Sequence, residues 1–458
     1  MLSNGDISIF DHDVDTPAQR RTRVGLLPVS AERIADAQRR LNEVGAVQPK
    51  KIDFQNPFFT QPRDTKICAV ENLLGELSGT KVRHIYLHVP YCMTRCIYCH
   101  YPIVRPGTEK ADEHSAFVET LVREIRAWSR SGLDFGGLQT IALGGGTPNA
   151  LSHQHLETIL QTLAECFPTR REVSIEVLPS FRILDEDKYR IFQAAGVNRL
   201  SVGIQSFNDL VNEANRRTYQ REDETRALIG LARTYFPNIS VDLLYRQKAQ
   251  EWSDLVRDVD EVKKLDVNSI YLYQVRESIG TKFSELQEAL NYFLVELTKD
   301  GTYEAISFDQ VIRKRNDDGM CQARSGRSQC EDLLGIGPSS VSELGDYTFR
   351  NVDTPMYLQP SSSTRVDETT IIRREQEWRQ CEWISRGLRH FNLPRLDGVS
   401  FAMFEERFGE RPSEAIVGRL QFLESIGLLE LGKAHATLTD LGMLFTQAIS
   451  GYLIGHYK

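Results

Sequence analysis

Residues 84–99 read HIYLHVPYCMTRCIYC: a short apolar run, then three cysteines within eight residues. The run His84–Pro90 is the length of a strand and is bounded by a proline, so it reads as a strand leading into a loop. Five similar runs follow at regular intervals: LQTIALGG (138–145), VSIEVLP (173–179), RLSVGIQ (199–205), ISVDLLY (239–245) and SIYLYQV (269–275). Each is nearly continuous in apolar and β-branched residues, the pattern of a strand buried on both faces. Between them lie helix-period segments such as AFVETLVREIRAW, LETILQTLAECF and WSDLVRDVDEVKKL. Six strand–helix units in succession predict an α/β fold, with a parallel sheet and right-handed crossovers curled into a partial (β/α)6 TIM-like barrel. Chemistry in such barrels sits at the C-terminal strand ends, where the cysteines fall.

The rest of the 458 residues is less regular. About 78 polar, irregular residues precede the first unit, with one helix-like stretch at Ala31–Val44. Residues 290–380 carry polar loops (RKRNDDG, SSST) and a Gly-rich turn, LLGIGPSS. From about Arg373 the pattern becomes helical, closing with FAMFEERFG, IVGRLQFLESIGLLEL and ATLTDLGMLF, a small helical unit with a short β-wing. The predicted organisation is an extension at 1–78, a core at 79–290, a barrel-completing and connecting region at 291–372 and a C-terminal domain at 373–458.

The composition is 41% hydrophobic and 26% charged, with a net charge of −8. That balance argues against nucleic acid as a partner, because phosphate binding needs clustered Lys and Arg. No run of eighteen apolar residues suggests a membrane span, and MLSNGDISIFDHDVD lacks the form of a signal peptide. A cytoplasmic, monomeric protein is expected. Five cysteines (Cys68, Cys166, Cys321, Cys330 and Cys381) stand singly, so the clustered Cys92, Cys96 and Cys99 read as metal ligands rather than disulfides. Three thiolates suit a cubane iron–sulfur cluster with one open iron. Zinc would ask for a fourth ligand, which no second motif supplies. His100 could serve as that ligand, or could equally face the pocket.

The segment YLHVPYCMTRCIYCHYP resembles the signature of the radical S-adenosylmethionine (SAM) superfamily, in its HemN-like (oxygen-independent coproporphyrinogen III oxidase-like) branch. By motif order the resemblance runs over roughly residues 80–450. It implies a barrel of radical SAM type with a C-terminal winged-helix-like domain over 383–454. It also implies a 4Fe–4S cluster on Cys92, Cys96 and Cys99 whose open iron is chelated by SAM. One electron then cleaves SAM to methionine and a 5′-deoxyadenosyl radical, which abstracts a substrate hydrogen. Tyr86 and Tyr98 match SAM contacts, and Gly144-Gly145-Gly146-Thr147-Pro148 matches the family's GGGTP turn. Glu176, Gln205 and Asp242 match ligand-facing positions at later strand ends. Arg217 matches an arginine that holds a SAM carboxylate, although its neighbour Arg216 competes for that role. Arg276 matches a backbone contact, and Val341, in the second Gly-rich turn, lies near a SAM.

Several positions depart from the branch. Tyr101 stands where coproporphyrinogen oxidases carry a further cysteine, Tyr245-Arg-Gln-Lys-Ala-Gln replaces the usual YGLPGQT, and Tyr219 replaces a histidine. The resemblance therefore points first to a HemN-like transferase with two SAM molecules, the second a carbon donor. Methylation or cyclopropanation of a small natural product or tetrapyrrole would be its reaction. Coproporphyrinogen oxidative decarboxylation is the alternative, and a haem-binding, chaperone-like role the third. An HNxxYW stretch that marks the haem carriers is not visible between 305 and 335. The implied partners are a small-molecule substrate and an electron donor such as a flavodoxin or ferredoxin, with no nucleic acid and no membrane.

Overall fold

The computed structural model describes residues 29–45, 70–109, 112–168, 171–275, 283–307, 309–314, 329–359, 366–389 and 398–454. The six expected strands form as β1 (His84–Val89), β2 (Thr140–Gly145), β3 (Glu172–Val177), β4 (Arg199–Gln205), β5 (Asn238–Tyr245) and β6 (Ser269–Gln274). They pair in parallel and in sequence order. Helices Glu113–Ser129, His153–Cys166, Glu186–Ala194, Glu222–Ala232 and Trp252–Lys264 make the crossovers.

Strand alternation sorts the side chains. Ile85, Leu87, Val89, Ile141, Leu143, Val173, Ile175, Leu200, Val202, Val241 and Leu243 join the apolar core that also holds Phe117, Leu121, Ile159 and Phe192 of the helices. The intervening positions point to the opposite face, and most are polar: His84, Tyr86, His88, Thr140, Glu172, Ser174, Glu176, Arg199, Ser201, Ser240 and Asp242. The strands are thus not apolar on both faces as expected from their composition. The helix-covered face is dry and the inner face is hydrophilic. In the N-terminal half of the strands this polarity is internally paired. His84 bonds Thr140 Oγ1 through Nδ1 and Glu331 through Nε2, both at 2.8 Å, and Arg199 Nε donates to Glu172 at 2.9 Å.

The region after β6 is more regular than its sequence suggests. β7 (Tyr303–Ser307) and β8 (Gln310–Arg313) form a hairpin on the β6 edge. β9 (Leu333–Ile336), from the LLGIGPSS turn, lies parallel to β1, with Ile85 opposite Leu334. β10 (Val341–Leu344), β11 (Tyr347–Asn351) and β12 (Val366–Arg373) continue antiparallel, giving a twelve-stranded sheet with β1 near its middle. These strands are mostly four or five residues long, too short to show a periodicity.

The C-terminal segment contains helices Gln376–Gly387, Phe401–Phe408 and Glu414–Ser425 with a three-stranded sheet in which Leu429–Leu431 pairs with His435–Leu438. That is a winged-helix-like arrangement. Arg386 ties it to β10 through a two-pronged bond to Glu343, at 2.9 and 3.2 Å. Near the N-terminus, the expected helix spans Ala31–Glu43 and starts at the Ser30 cap. Most of the 1–78 extension and the whole of the Arg276 position lie outside the described residues. No helix among the described residues is long and apolar enough to cross a membrane.

Candidate active site

The loop leaving β1 returns on itself, with Val104 N donating to Pro90 O at 2.8 Å, and the cysteines sit inside this excursion. Cys96 is buried, while Cys92 and Cys99 are half-buried; all are free thiols. Cys92 Sγ lies 3.2 Å from Thr147 Oγ1. Arg217 Nη1 approaches Cys96 Sγ at 3.9 Å. Burial pushes the Cys92 thiol up to about 11, and the thiols at Cys99 and Cys96 add to the rise, against the opposing pull of the Thr147 hydroxyl. Burial likewise raises Cys99. The thiols feel one another's charge, but among the described residues no three ligating side chains converge into a ready metal cage.

The GGGTP turn is fitted to this loop by backbone contact. Gly146 N donates to Val89 O and Thr147 N to Tyr91 O, both at 2.7 Å. A Cβ on Gly146 would fall 2.5 Å from Tyr91 O and 2.8 Å from Val89 O, and one on Gly144 would fall 2.5 Å from the Glu176 carboxylate. The glycines thus allow β2 to press against the cysteine loop, and the Gly146 and Thr147 amides are already committed internally. Gly146→Ala is expected to lower stability by about 1–3 kcal/mol and to reduce iron loading, read from thermal melts and iron content.

Later strand ends add polar groups. Glu176 accepts from Gly145 N at 3.3 Å. It is reached by solvent yet crowded by protein, as a side chain facing a cleft must be, and this crowding raises its carboxyl to about 7. Gln205 takes a left-handed conformation (φ 68°) where the β4–β5 register shifts, leaving its Oε1 buried without a hydrogen bond. The Tyr98 hydroxyl is also buried; it feels Arg217 and Cys96 but has no partner at hydrogen-bonding geometry. Asp242 is half-buried on the inner face of β5, opposite Gly203 and Tyr271.

Arg217 is buried, its guanidinium bonded to Gln220 Oε1 and Gly203 O, both at 2.6 Å, with Nη1 left toward Cys96. Arg216 is exposed and has φ 62°, a conformation that favours glycine. The two arginines are therefore separated: Arg217 faces the cysteines and Arg216 the solvent. Val341 opens β10, so close to β9 that a Cβ on Gly335 would lie 2.5 Å from its carbonyl oxygen. His100 is exposed and stacks on Tyr101, with centroids 5.1 Å apart.

One residue escaped the sequence reading. His88 is buried beside Tyr86, and its Nε2 donates to Pro102 O at 2.8 Å. Burial depresses it to about 4, so the ring stays neutral, with Nδ1 toward the Tyr86 hydroxyl at 3.5 Å. Its ring occupies the space opened by Gly145, where a Cβ would be 2.4 Å away. The signal was present in the alternation of His84, Tyr86 and His88.

Three free thiols on one loop, an arginine and a hydroxyl against two of them, and two orphaned polar groups nearby suit an iron–sulfur cluster with a polar ligand. Comparison with known families agrees. The description "Radical SAM superfamily" matches residues 86–262, and "HemN C-terminal domain" matches 395–445. The chain thus carries a Radical SAM domain followed by a HemN C-terminal domain. This radical SAM protein is 28% identical to the oxygen-independent coproporphyrinogen III oxidase of Cereibacter sphaeroides over 376 residues, 73% of this chain and 77% of the relative. It is 24% identical to the heme chaperone HemW of Lactococcus lactis, covering 75% and 91% of the two chains. In structure it resembles the coproporphyrinogen III oxidase (HemN) of Escherichia coli, with a TM-score of 0.68 and 21% identity over 85% of this chain and 94% of that one. A Radical SAM domain implies a 4Fe–4S cluster and SAM as cofactors of a radical SAM enzyme.

Proposed function

We propose that Cys92, Cys96 and Cys99 carry the 4Fe–4S cluster and that SAM lies across the ends of β1 to β5, on the polar inner face. The observation that supports this best is the convergence of Thr147 and Arg217 on two of the three clustered thiols. When bound, the cluster supplies the electron that cleaves SAM to a 5′-deoxyadenosyl radical. The chain's own residues hold and orient. The Thr147 hydroxyl and Arg217 oppose the rise that burial imposes on the Cys92 thiol. Glu176, with Tyr86 and Asp242, offers a negative and hydrogen-bonding lining to a cationic sulfonium ligand. The apolar core behind the strands keeps water from the far side. In this reading residues 79–290 form the catalytic core, 291–372 complete it, 373–458 are the C-terminal domain, and 1–78 extend it.

The substrate is a small molecule, and the relatives' names favour tetrapyrrole chemistry. A two-SAM transfer of a methyl or methylene carbon is the finer reading we carry. It is supported by two sets of positions that match SAM contacts of the resembled family: Tyr86, Gly145 and Glu176 in one, and Gly146, Thr147, Gln205, Arg217 and Asp242 in the other. Tyr101, in place of a cysteine, separates the chain from plain coproporphyrinogen decarboxylation. Anaerobic turnover of reconstituted protein with tetrapyrrole substrates is expected to yield both 5′-deoxyadenosine and S-adenosylhomocysteine. Deoxyadenosine with protoporphyrinogen and no S-adenosylhomocysteine would replace transfer by decarboxylation. Haem binding with no SAM cleavage would replace catalysis by haem carriage.

A further inference from the structure

Around the cysteine loop the surface charge is opposite to that of the chain. Three loops meet at Asn215: Ile97 N donates to its carbonyl at 3.2 Å, its side-chain amide donates to Lys248 O at 2.9 Å, and Lys248 N returns a bond to its Oδ1 at 3.2 Å. Thr94 Oγ1 adds a 2.7 Å bond to Arg216 O. These bonds bring Arg95, Arg216 and Lys248 onto one exposed surface, with Ile97, 43% exposed, beside them. None of the three cations has an ion-pair partner among the described residues. The neighbouring acids are engaged elsewhere: Glu213 and Asp209 with Arg221, and Glu251 and Asp254 in a helix cap. A protein of net charge −8 thus leaves a cluster of unpaired positive charge over its three clustered thiols. Unpaired surface charge contributes little to stability but steers the encounter with an oppositely charged partner.

We infer that Arg95, Arg216 and Lys248 form the docking surface for a small acidic electron-carrier protein, which passes one electron per encounter to the cluster. This rests on the cluster assignment proposed above. The donor is oxidised by one electron and the cluster reduced by one, with no bond made at the interface. Arg95 lies between two cluster cysteines, and its charge reaches Cys99, so a carrier seated here is close to the metal. Electron-transfer complexes of this kind are small and short-lived, and charge sets their rate of formation.

The test uses holoenzyme and an acidic flavodoxin. Binding is followed by calorimetry between about 50 and about 300 mM salt, a range over which the screening length shortens from roughly 14 to 6 Å. The R216E/K248E variant alters side chains that face solvent, outside the cleft. It should bind flavodoxin about tenfold or more weakly and lose most of the salt dependence, with R95E behaving alike. Photoreduction by a neutral deazaflavin should reduce its cluster as in the parent protein. Unchanged flavodoxin affinity in R216E/K248E would overturn the inference, as would a selective rise in KM for the organic substrate, which would assign the cations to substrate capture. A reconstituted parent protein without an iron–sulfur chromophore would instead count against the cluster assignment.

Discussion

Alanine at Cys92, Cys96 or Cys99 should leave a folded protein with no stable cluster and no measurable SAM cleavage. A cubane held by three thiolates has none to spare, and losing a residue that only supports a ligand already costs about 10–100-fold in metal affinity. Losing a ligand itself should cost more. The fold should survive, because Cys92 and Cys99 are only half-buried and the loop is also held by Gly146, Thr147 and Asn215. Cys166→Ala, on the helix behind β2, is the matched control and should load normally. Iron and sulfide content, the visible chromophore and thermal melts read the outcome together. A full cluster in any one of the three variants would mean that another side chain serves as ligand.

The second large effect is on stability. Glu124 is fully enclosed and accepts four hydrogen bonds. Asn351 Nδ2 (2.7 Å) and Trp128 Nε1 (3.2 Å) meet one oxygen, and Tyr357 Oη (2.6 Å) and Gly337 N (2.9 Å) the other. These donors come from its own helix, from the Gly-rich turn after β9, from β11 and from the short helix Thr354–Tyr357. Burial pushes its carboxyl above the usual range, and the four donors work against that rise. Glu124→Ala removes the acceptor that all four donors share, and a loss of about 4 kcal/mol is expected, since each buried group that loses its partner costs about 1–3 kcal/mol and such costs are not additive. Glu124→Gln keeps the shape but presents an amide to donors and should fall between. Because Gly337 packs on the His88 carbonyl, where its Cβ would lie 2.5 Å away, the loss should also loosen β9 against β1. Urea unfolding measures the change; a loss below about 1 kcal/mol would mean that water replaces the carboxylate.

The six parallel strands were legible because each is an unbroken run ending in a marked turn, and their ends fall within two residues of the runs in the sequence. The inner face was not. Reading HIYLHV as one apolar run hid the alternation of His84, Tyr86 and His88, which is visible at period two. β7 to β11 were hidden by their length, since four or five residues carry little period, and β9 also by two glycines that serve close packing. Among the site residues, the cysteines and GGGTP were legible as motifs. The difference between Arg216 and Arg217 was not, because it depends on a single left-handed residue that turns one side chain to solvent and the next to Cys96. The backbone commitments of Gly146 and Thr147 depend on how β1 and β2 end side by side, which no spacing reveals.

The most direct test of the cluster and its ligand is electron paramagnetic resonance of the anaerobically reconstituted, one-electron-reduced protein, with and without SAM. The reduced protein should show the signal of a 4Fe–4S cluster that changes when SAM is added, with 5′-deoxyadenosine appearing in the same sample. A cluster signal indifferent to SAM, with no deoxyadenosine formed, would contradict it.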